Sequence, residues 1–204
     1  MAAAAGLGDD GGYGLVKGED AMTTTTDIRT LLGELRQDHR NMAVLLGLVR
    51  EEARKADRGS DPDFELLEDI LHYLTVYSDA VHHPREDRLY SQLASAGKGQ
   101  GLAFVESDHR TLAVDGKTLK DDCEAVLAGA ALSRTKFVAD AVRYVDRLDE
   151  HMQWEETDLF KRADTLADEE IDITGLAESD PVFGPQPGEA FETLLERMRD
   201  SVGA

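Results

Sequence analysis

The chain has 204 residues, 41% hydrophobic and 31% charged, with 42 acidic against 22 basic side chains and a formal net charge of −20. That balance argues against nucleic acid or an anionic membrane as partner, because phosphate binding needs clustered Lys and Arg, and no run approaches the roughly 20 apolar residues of a membrane span. The single cysteine, Cys123, excludes an internal disulfide and a cysteine-rich metal site.

Residues 1–26 carry no apolar periodicity and are expected to form a disordered N-terminal tail. The opening MAAAAGLGDDGG lacks a basic n-region and carries early aspartates, so it does not read as a secretory signal, and a cytoplasmic protein is expected. A first helix starts near Asp27, a plausible N-cap, with the stripe Leu32, Leu35, His39, Met42, Leu46 and Val49. Its spacing of three and four residues is that of a coiled-coil seam, and His39 occupies a seam position.

Gly59-Ser60-Asp61-Pro62 breaks the pattern and opens a second helix to about Ala94, striped by Leu67, Leu71, Leu74, Ser78, His82, Glu86, Leu89 and Leu93. Pro84 lies inside that helix, where it predicts a bend between His82 and Glu86. After GKGQG (97–101), a third helix carries Leu102, Val105, His109, Leu112, Gly116, Leu119, Cys123 and Val126. Ser133 is expected to cap a fourth, with Phe137, Ala141, Tyr144, Leu148, His151, Glu155 and Leu159 spaced 4, 3, 4, 3, 4, 4 and an end near Leu166. Residues 167–204 read as a loop followed by a short helix. The pattern predicts an all-α fold: an up-down-up-down antiparallel four-helix bundle over 27–166 with a short C-terminal extension.

Each predicted helix points polar groups into the interior at one place. His82 and Glu86, and again His151 and Glu155, stand four apart on one helix face. His39 and His109 supply one imidazole each. Four imidazoles and two carboxylates in an apolar interior each need a partner, and a metal centre supplies one. Imidazole with carboxylate and no thiolate suits iron, manganese or zinc. Two glutamates can bridge two ions, and six protein ligands would leave open positions for small molecules. His83 lies about 100° from the seam and is read as an outer or surface residue, with His82 or His83 as the ligand left open. His72 is expected to face solvent. Glu156 and Asp158 read as solvated charges, with an outer role in orienting a histidine as the alternative. Tyr77, Tyr90 and Tyr144 read by default as core packing, with lining the site or donating an extra oxygen ligand as the alternative, Trp154 as packing and Cys123 as a small buried apolar residue.

The segments DHRNM (38–42), VHHPREDRLY (81–90), DHRTL (108–112) and EHMQWEETDLF (150–160) resemble the hemerythrin-like (HHE cation-binding) family, in the order H…HxxxE…H…HxxxE. DPVFG (180–184) is similar to the C-terminal extension of bacterial members. The resemblance implies a four-helix bundle holding a non-haem di-iron centre, two iron ions in all. Its ligands would be His39, His82, Glu86, His109, His151 and Glu155, with both glutamates bridging. The oxygen-carrying hemerythrins have HxxxH on the third helix and HxxxxD on the fourth, where this chain has Ala113 and Glu156, so that a fifth histidine is missing at those places. The resemblance therefore points to members linked to redox, oxygen or nitric-oxide sensing and stress response, with a diatomic molecule or peroxide as the small partner. A di-iron enzyme consuming peroxide or nitric oxide, and a bundle that metal merely stabilises, are the competing expectations.

Overall fold

The computed structural model describes residues 28–101, 104–166 and 191–196, and every element among them is helical. The expected disordered tail over 1–26, the Asp27 cap, Leu102, DPVFG and most of the C-terminal extension lie outside the described residues. Four helical rods form the body. The first is α1 (Ile28–Asp57). The second joins α2 (Phe64–His72), a π-helical segment (Tyr73–His82) and α3 (His83–Ser95) without interruption. The third is α4 (Val105–Leu127), and the fourth joins α5 (Arg134–Trp154), a second π-helical segment (Glu155–Leu159) and α6 (Phe160–Asp164).

The rod ends are set by local chemistry. At three of them a glycine with positive φ, namely Gly59, Gly97 and Gly129, closes the helix. Gly59 N–H bonds Ala56 O at 3.0 Å while Ser60 N–H reaches Lys55 O at 3.0 Å, and the same pair of bonds recurs at Gly97 and Gly129. This double closure satisfies carbonyls that the helix leaves without partners, and it needs a residue that tolerates left-handed backbone. Asp63 and Ser133 cap the next starts, their side chains accepting from Leu66 N–H at 3.0 Å and Lys136 N–H at 3.4 Å. The cap expected at Ser133 is thus found, while that of the second rod falls on Asp63.

Both π segments lie beside the polar layer. His83 N–H reaches back five residues to Ser78 O, and Phe160 N–H reaches Glu155 O. Pro84 has no N–H, and its ring would clash with the carbonyl four residues earlier in a regular helix. A wider turn just before it relieves that clash. The expectation at Pro84 is a bend between His82 and Glu86; what the structure shows is a change of helix type that ends at His82, two residues before the proline.

The predicted stripes are buried, from Leu32 to Val49, Leu67 to Leu93, Val105 to Cys123 and Phe137 to Leu159, with only Val126 half-buried. They build two apolar clusters. The larger holds Met42, Leu46, Val49, Leu71, Leu74, Tyr77, Leu112, Leu119, Tyr144 and Leu148, and the smaller Leu31, Leu35, Leu89, Leu93, Val105, Leu159 and Phe160. The polar seam positions fall between them. Residues 191–196 are helical, and Phe191 packs on Tyr73 with ring centroids 6.0 Å apart. No helix among the described residues is long and apolar enough to cross a membrane.

At Gly116 α4 packs tightly between the second and fourth rods: an added Cβ would stand 2.8 Å from Thr75 Cγ2 and 2.9 Å from Tyr144 Cε2. Gly→Ala inside a helix gains about 1 kcal/mol in propensity, but overpacking a buried contact costs about 1–3 kcal/mol. Gly116→Ala is therefore expected to lower the melting temperature by a few degrees, measured by circular dichroism. An unchanged or higher value would mean that the interface yields more easily than this geometry allows.

Candidate metal centre

The four rods bring all six predicted residues together in one layer. His39, His82, Glu86, His109, His151 and Glu155 are all buried, with both glutamates at 0% exposure. A seventh joins them. His83, expected at the edge or the surface, is buried too, and its ring stacks on that of His109 with centroids 4.1 Å apart. The cause is the π segment. Residues four apart drift about 40° round a regular helix, and Leu74, Ser78, His82 and Glu86 follow one another at intervals of four. Wider turns absorb that drift and admit two consecutive histidines to the interior.

The side chains fall into two groups that share a glutamate. One contains His39, His82 and Glu86, the other His83, Glu86, His109 and His151, and within each the donor atoms lie within 4.8 Å of one another. Glu86 faces both: Oε1 is 3.2 Å from His82 Nε2 and 3.4 Å from His39 Nε2, while Oε2 is 3.6 Å from His109 Nε2. Glu155 does the same from the opposite rod, with Oε2 3.3 Å from His39 Nε2 and Oε1 3.2 Å from His151 Nε2 and 3.7 Å from His109 Nε2. Tyr90 donates its hydroxyl to Glu155 Oε1, so this ring does more than pack.

The outer nitrogens of the histidines face carboxylates. His39 Nδ1 donates to Glu156 at 3.2 Å, His82 Nδ1 to Asp38 at 3.1 Å, His109 Nδ1 to Asp87 at 3.1 Å and His151 Nδ1 to Asp108 at 2.9 Å. His83 Nδ1 lies 3.4 Å from Asp79 on its own rod. A carboxylate only accepts, so the proton of each bonded imidazole sits on Nδ1 and the Nε2 lone pair turns to the centre. Glu156 is thus an orienting residue, whereas Asp158 pairs with Arg162 at 2.6 Å near the surface. Sequence reasoning passed over Asp38, Asp79, Asp87 and Asp108. Tyr77, for which packing is the default reading, donates its hydroxyl to Asp38 at 2.9 Å. His72 is exposed, and Trp154 packs edge-on to Phe104 at 4.7 Å. Tyr144 and Cys123 are core residues, and burial pushes the Cys123 thiol up to about 12.

Without a cation this arrangement is frustrated. Nε2 of His39 lies 3.1 Å from Nε2 of His82, and Nε2 of His109 lies 3.0 Å from Nε2 of His151. With the outer nitrogens donating, neutral rings would press lone pair against lone pair. Both oxygens of Glu86 and Oε2 of Glu155 are buried and make no hydrogen bond. Cations are what this donor set lacks, and protons can stand in for them. Burial alone would push the imidazoles down, but the carboxylates outweigh it: His39 is raised to about 11 by Glu155, Glu156 and Glu86, His151 to about 10 by Glu155 and Asp108, and His109 to about 9 by Asp87 and Glu155. His82 is raised as well, while Glu86 and Glu155, despite burial, are held below the usual range by the imidazoles. Only His83 moves the other way, with burial taking it to about 4.

These shifts set the pH response of the metal-free protein. An imidazole raised in the folded state stabilises the fold while protonated; that contribution is complete below its ordinary value of about 6.5 and disappears as the pH climbs through the folded value. Chelator-treated protein is therefore expected to lose thermal stability as the pH climbs through the raised values of about 9 to about 11 and the facing pairs His109–His151 and His39–His82 give up their shared protons. Melting curves across that range check it, and stability that stays level or rises would contradict the protonated pairing. Metal loading near neutral pH should conversely release protons, since ligands must be deprotonated.

The donor set fits a metal cation held by nitrogen and oxygen. Comparison with known families agrees: residues 30–163 match the hemerythrin HHE cation-binding domain. No curated protein and no solved structure matches the chain. The match covers most of the sequence and spans every residue of the polar layer, and the chain belongs to the hemerythrin HHE cation-binding family.

Proposed function

We propose that the chain holds a non-haem di-iron centre which binds a small oxidising or diatomic molecule, such as dioxygen, nitric oxide or peroxide, in a redox or stress response. His39 and His82 would bind one ion and His83, His109 and His151 the other, with Glu86 and Glu155 bridging. The observation that carries this reading is the pair of buried glutamates, each turning one oxygen to each histidine group. Bridging carboxylates of that kind serve two ions, not one.

Two ligand atoms about 2.1 Å from one ion are about 3.0 Å apart at right angles and about 3.4 Å apart at the tetrahedral angle. The facing imidazole nitrogens stand 3.1 and 3.0 Å apart and the nearest imidazole–glutamate pairs 3.2 to 3.4 Å, so the donors are spaced for one ion between them, and the choice of iron comes from the family. Four protein donors then face the first ion and five the second, so six-coordinate ions keep open positions, more of them beside His39 and His82. When bound, iron would supply reversible one-electron chemistry and a place for a small ligand. The chain's own residues hold the imidazole lone pairs inward, keep the bridging carboxylates ionised and exclude bulk water through the two apolar clusters.

The up-down-up-down topology belongs to the same reading. α1 and α4 run from the smaller apolar cluster through the polar layer to the larger, and the second and fourth rods run from the larger to the smaller. The open positions also favour a second reading, an enzyme that consumes peroxide or nitric oxide.

Metal analysis tests the first. Purified protein should carry two irons per chain and ferric charge-transfer absorption, and His109→Ala and His83→Ala should each lose the iron of the second position. A metal-free or single-zinc protein, with His109→Ala equally well folded, would refute the di-iron centre. Peroxide or nitric oxide titrated into the iron form separates the two readings. A saturable spectral change indicates binding, whereas steady consumption abolished by Glu155→Ala indicates turnover.

A further inference from the structure

The acids that face the outer imidazole nitrogens are distributed by a rule. Asp38 on α1 serves His82 on the second rod, and Asp87 on the second rod serves His109 on α4. Asp108 on α4 serves His151 on the fourth rod, and Glu156 on the fourth rod serves His39 on α1. The chain of hand-overs closes on itself. Each acid is the immediate sequence neighbour of an inward-facing residue: Asp38 precedes His39, Asp87 follows Glu86, Asp108 precedes His109 and Glu156 follows Glu155.

Helix geometry explains the neighbours. One residue is about 100° of rotation, so when a ligand points to the bundle axis its neighbour points into the seam with an adjoining rod. The alternation matters more. In two rods the acid comes one residue before the inward group, in the other two one residue after. Stepping back along one helix and forward along an antiparallel one turns in the same sense when both are viewed from the same end. An alternating bundle needs that alternation if every acid is to face the next rod in the same rotational direction. His83 stands outside the scheme, since its acid, Asp79, is four residues away on the same rod.

We propose that Asp38, Asp87, Asp108 and Glu156 form a closed ring of positioning residues in which each rod orients a metal-binding histidine of the next, so that one half of the ring sets the affinity of each metal position. This rests on the metal-centre reading above. Asp38 and Glu156 act on the position held by His82 and His39, Asp87 and Asp108 on the position held by His109 and His151. The ring makes metal affinity a property of rod-to-rod contact. A substitution on α1 is felt at a ligand on the second rod, and not at the histidine next to it in sequence.

Cobalt(II) is a suitable probe, because its visible absorption reports ligand number and geometry and needs no activity. The whole chain should take up two equivalents. In a His39→Ala background, which leaves the second position intact, D87N and D108N should each weaken the remaining equivalent about 10–100-fold, while D38N should not. In a His109→Ala background the pattern should reverse, with D38N and E156Q weakening the remaining equivalent and D108N not. Asp87 is 39% exposed on its side chain, so D87N is the substitution least able to disturb folding, and its effect in the His39→Ala background alone decides the matter. Substitutions that weaken both positions alike, or neither, while the parent chain still binds two equivalents would overturn the ring and leave the metal centre standing. A parent chain that binds no cobalt would overturn both.

Discussion

Two glutamates with no exposed surface stand at the middle of a helical bundle, and the rest of the structure is arranged around keeping them ionised. Taking a carboxylate out of water costs several kcal/mol even after relaxation. Glu86 and Glu155 face each other's field in the same small volume, and only positive charge at close range offsets that. With no metal present, a proton held between the facing nitrogens of each imidazole pair, His39 with His82 and His109 with His151, supplies it. A bound metal cation provides more of it and lets the imidazoles become neutral donors. The rods cannot slide past one another without pulling a nitrogen away from an oxygen, so the polar layer also fixes the register of the apolar clusters on either side.

Much of this was legible in the sequence because the bundle is regular. Stripes at three and four residues gave the four rods, and the same spacing put His39, His82, His109 and His151 in line with leucines that turn out to be buried. The two HxxxE pairs needed only the i,i+4 rule. The irregular places carried information that periodicity alone could not use. Leu74, Ser78, His82 and Glu86 come at successive intervals of four, as do His151, Glu155 and Leu159, and these are where the helix widens. A seam that keeps stepping by four demands more residues per turn than an α-helix has. His83 could not be placed without that step, since in a regular helix it points away from the centre.

The outer acids were hidden for a different reason. Asp38, Asp87 and Asp108 look like ordinary charged neighbours in an acidic chain, and nothing in a single helix says that a carboxylate crosses a seam. Only the packing of one rod on the next turns them into hydrogen-bond acceptors for imidazoles. Glu156 was visible as a possibility because it follows Glu155, yet its partner, His39, lies 117 positions away. Interior ligands obey a rule within one helix; the groups that aim them obey a rule between helices, and sequence periodicity carries only the first.

Charge alternates outward from the centre, and this explains how so acidic a chain keeps its acids useful. Around the metal positions lie the glutamates and imidazoles, then the orienting carboxylates, then arginines. Arg36 Nε stands 3.4 Å from Glu156, Arg85 Nη1 stands 3.9 Å from Asp38, and the charge of Arg147 helps hold Asp108 below its usual range, after its bond to His151. A protonated Asp108 or Glu156 would be a hydrogen-bond donor as well as an acceptor, and the facing imidazole would be free to take the other tautomer and turn an N–H to the centre. Asp108 and Glu156 are held below the usual carboxylate range first by their bonds to His151 and His39 and then by the charges of Arg147 and Arg36. The polar layer is therefore built from outside to inside: guanidinium fixes carboxylate, carboxylate fixes the imidazole proton, and the imidazole lone pair is left facing the place where a cation belongs.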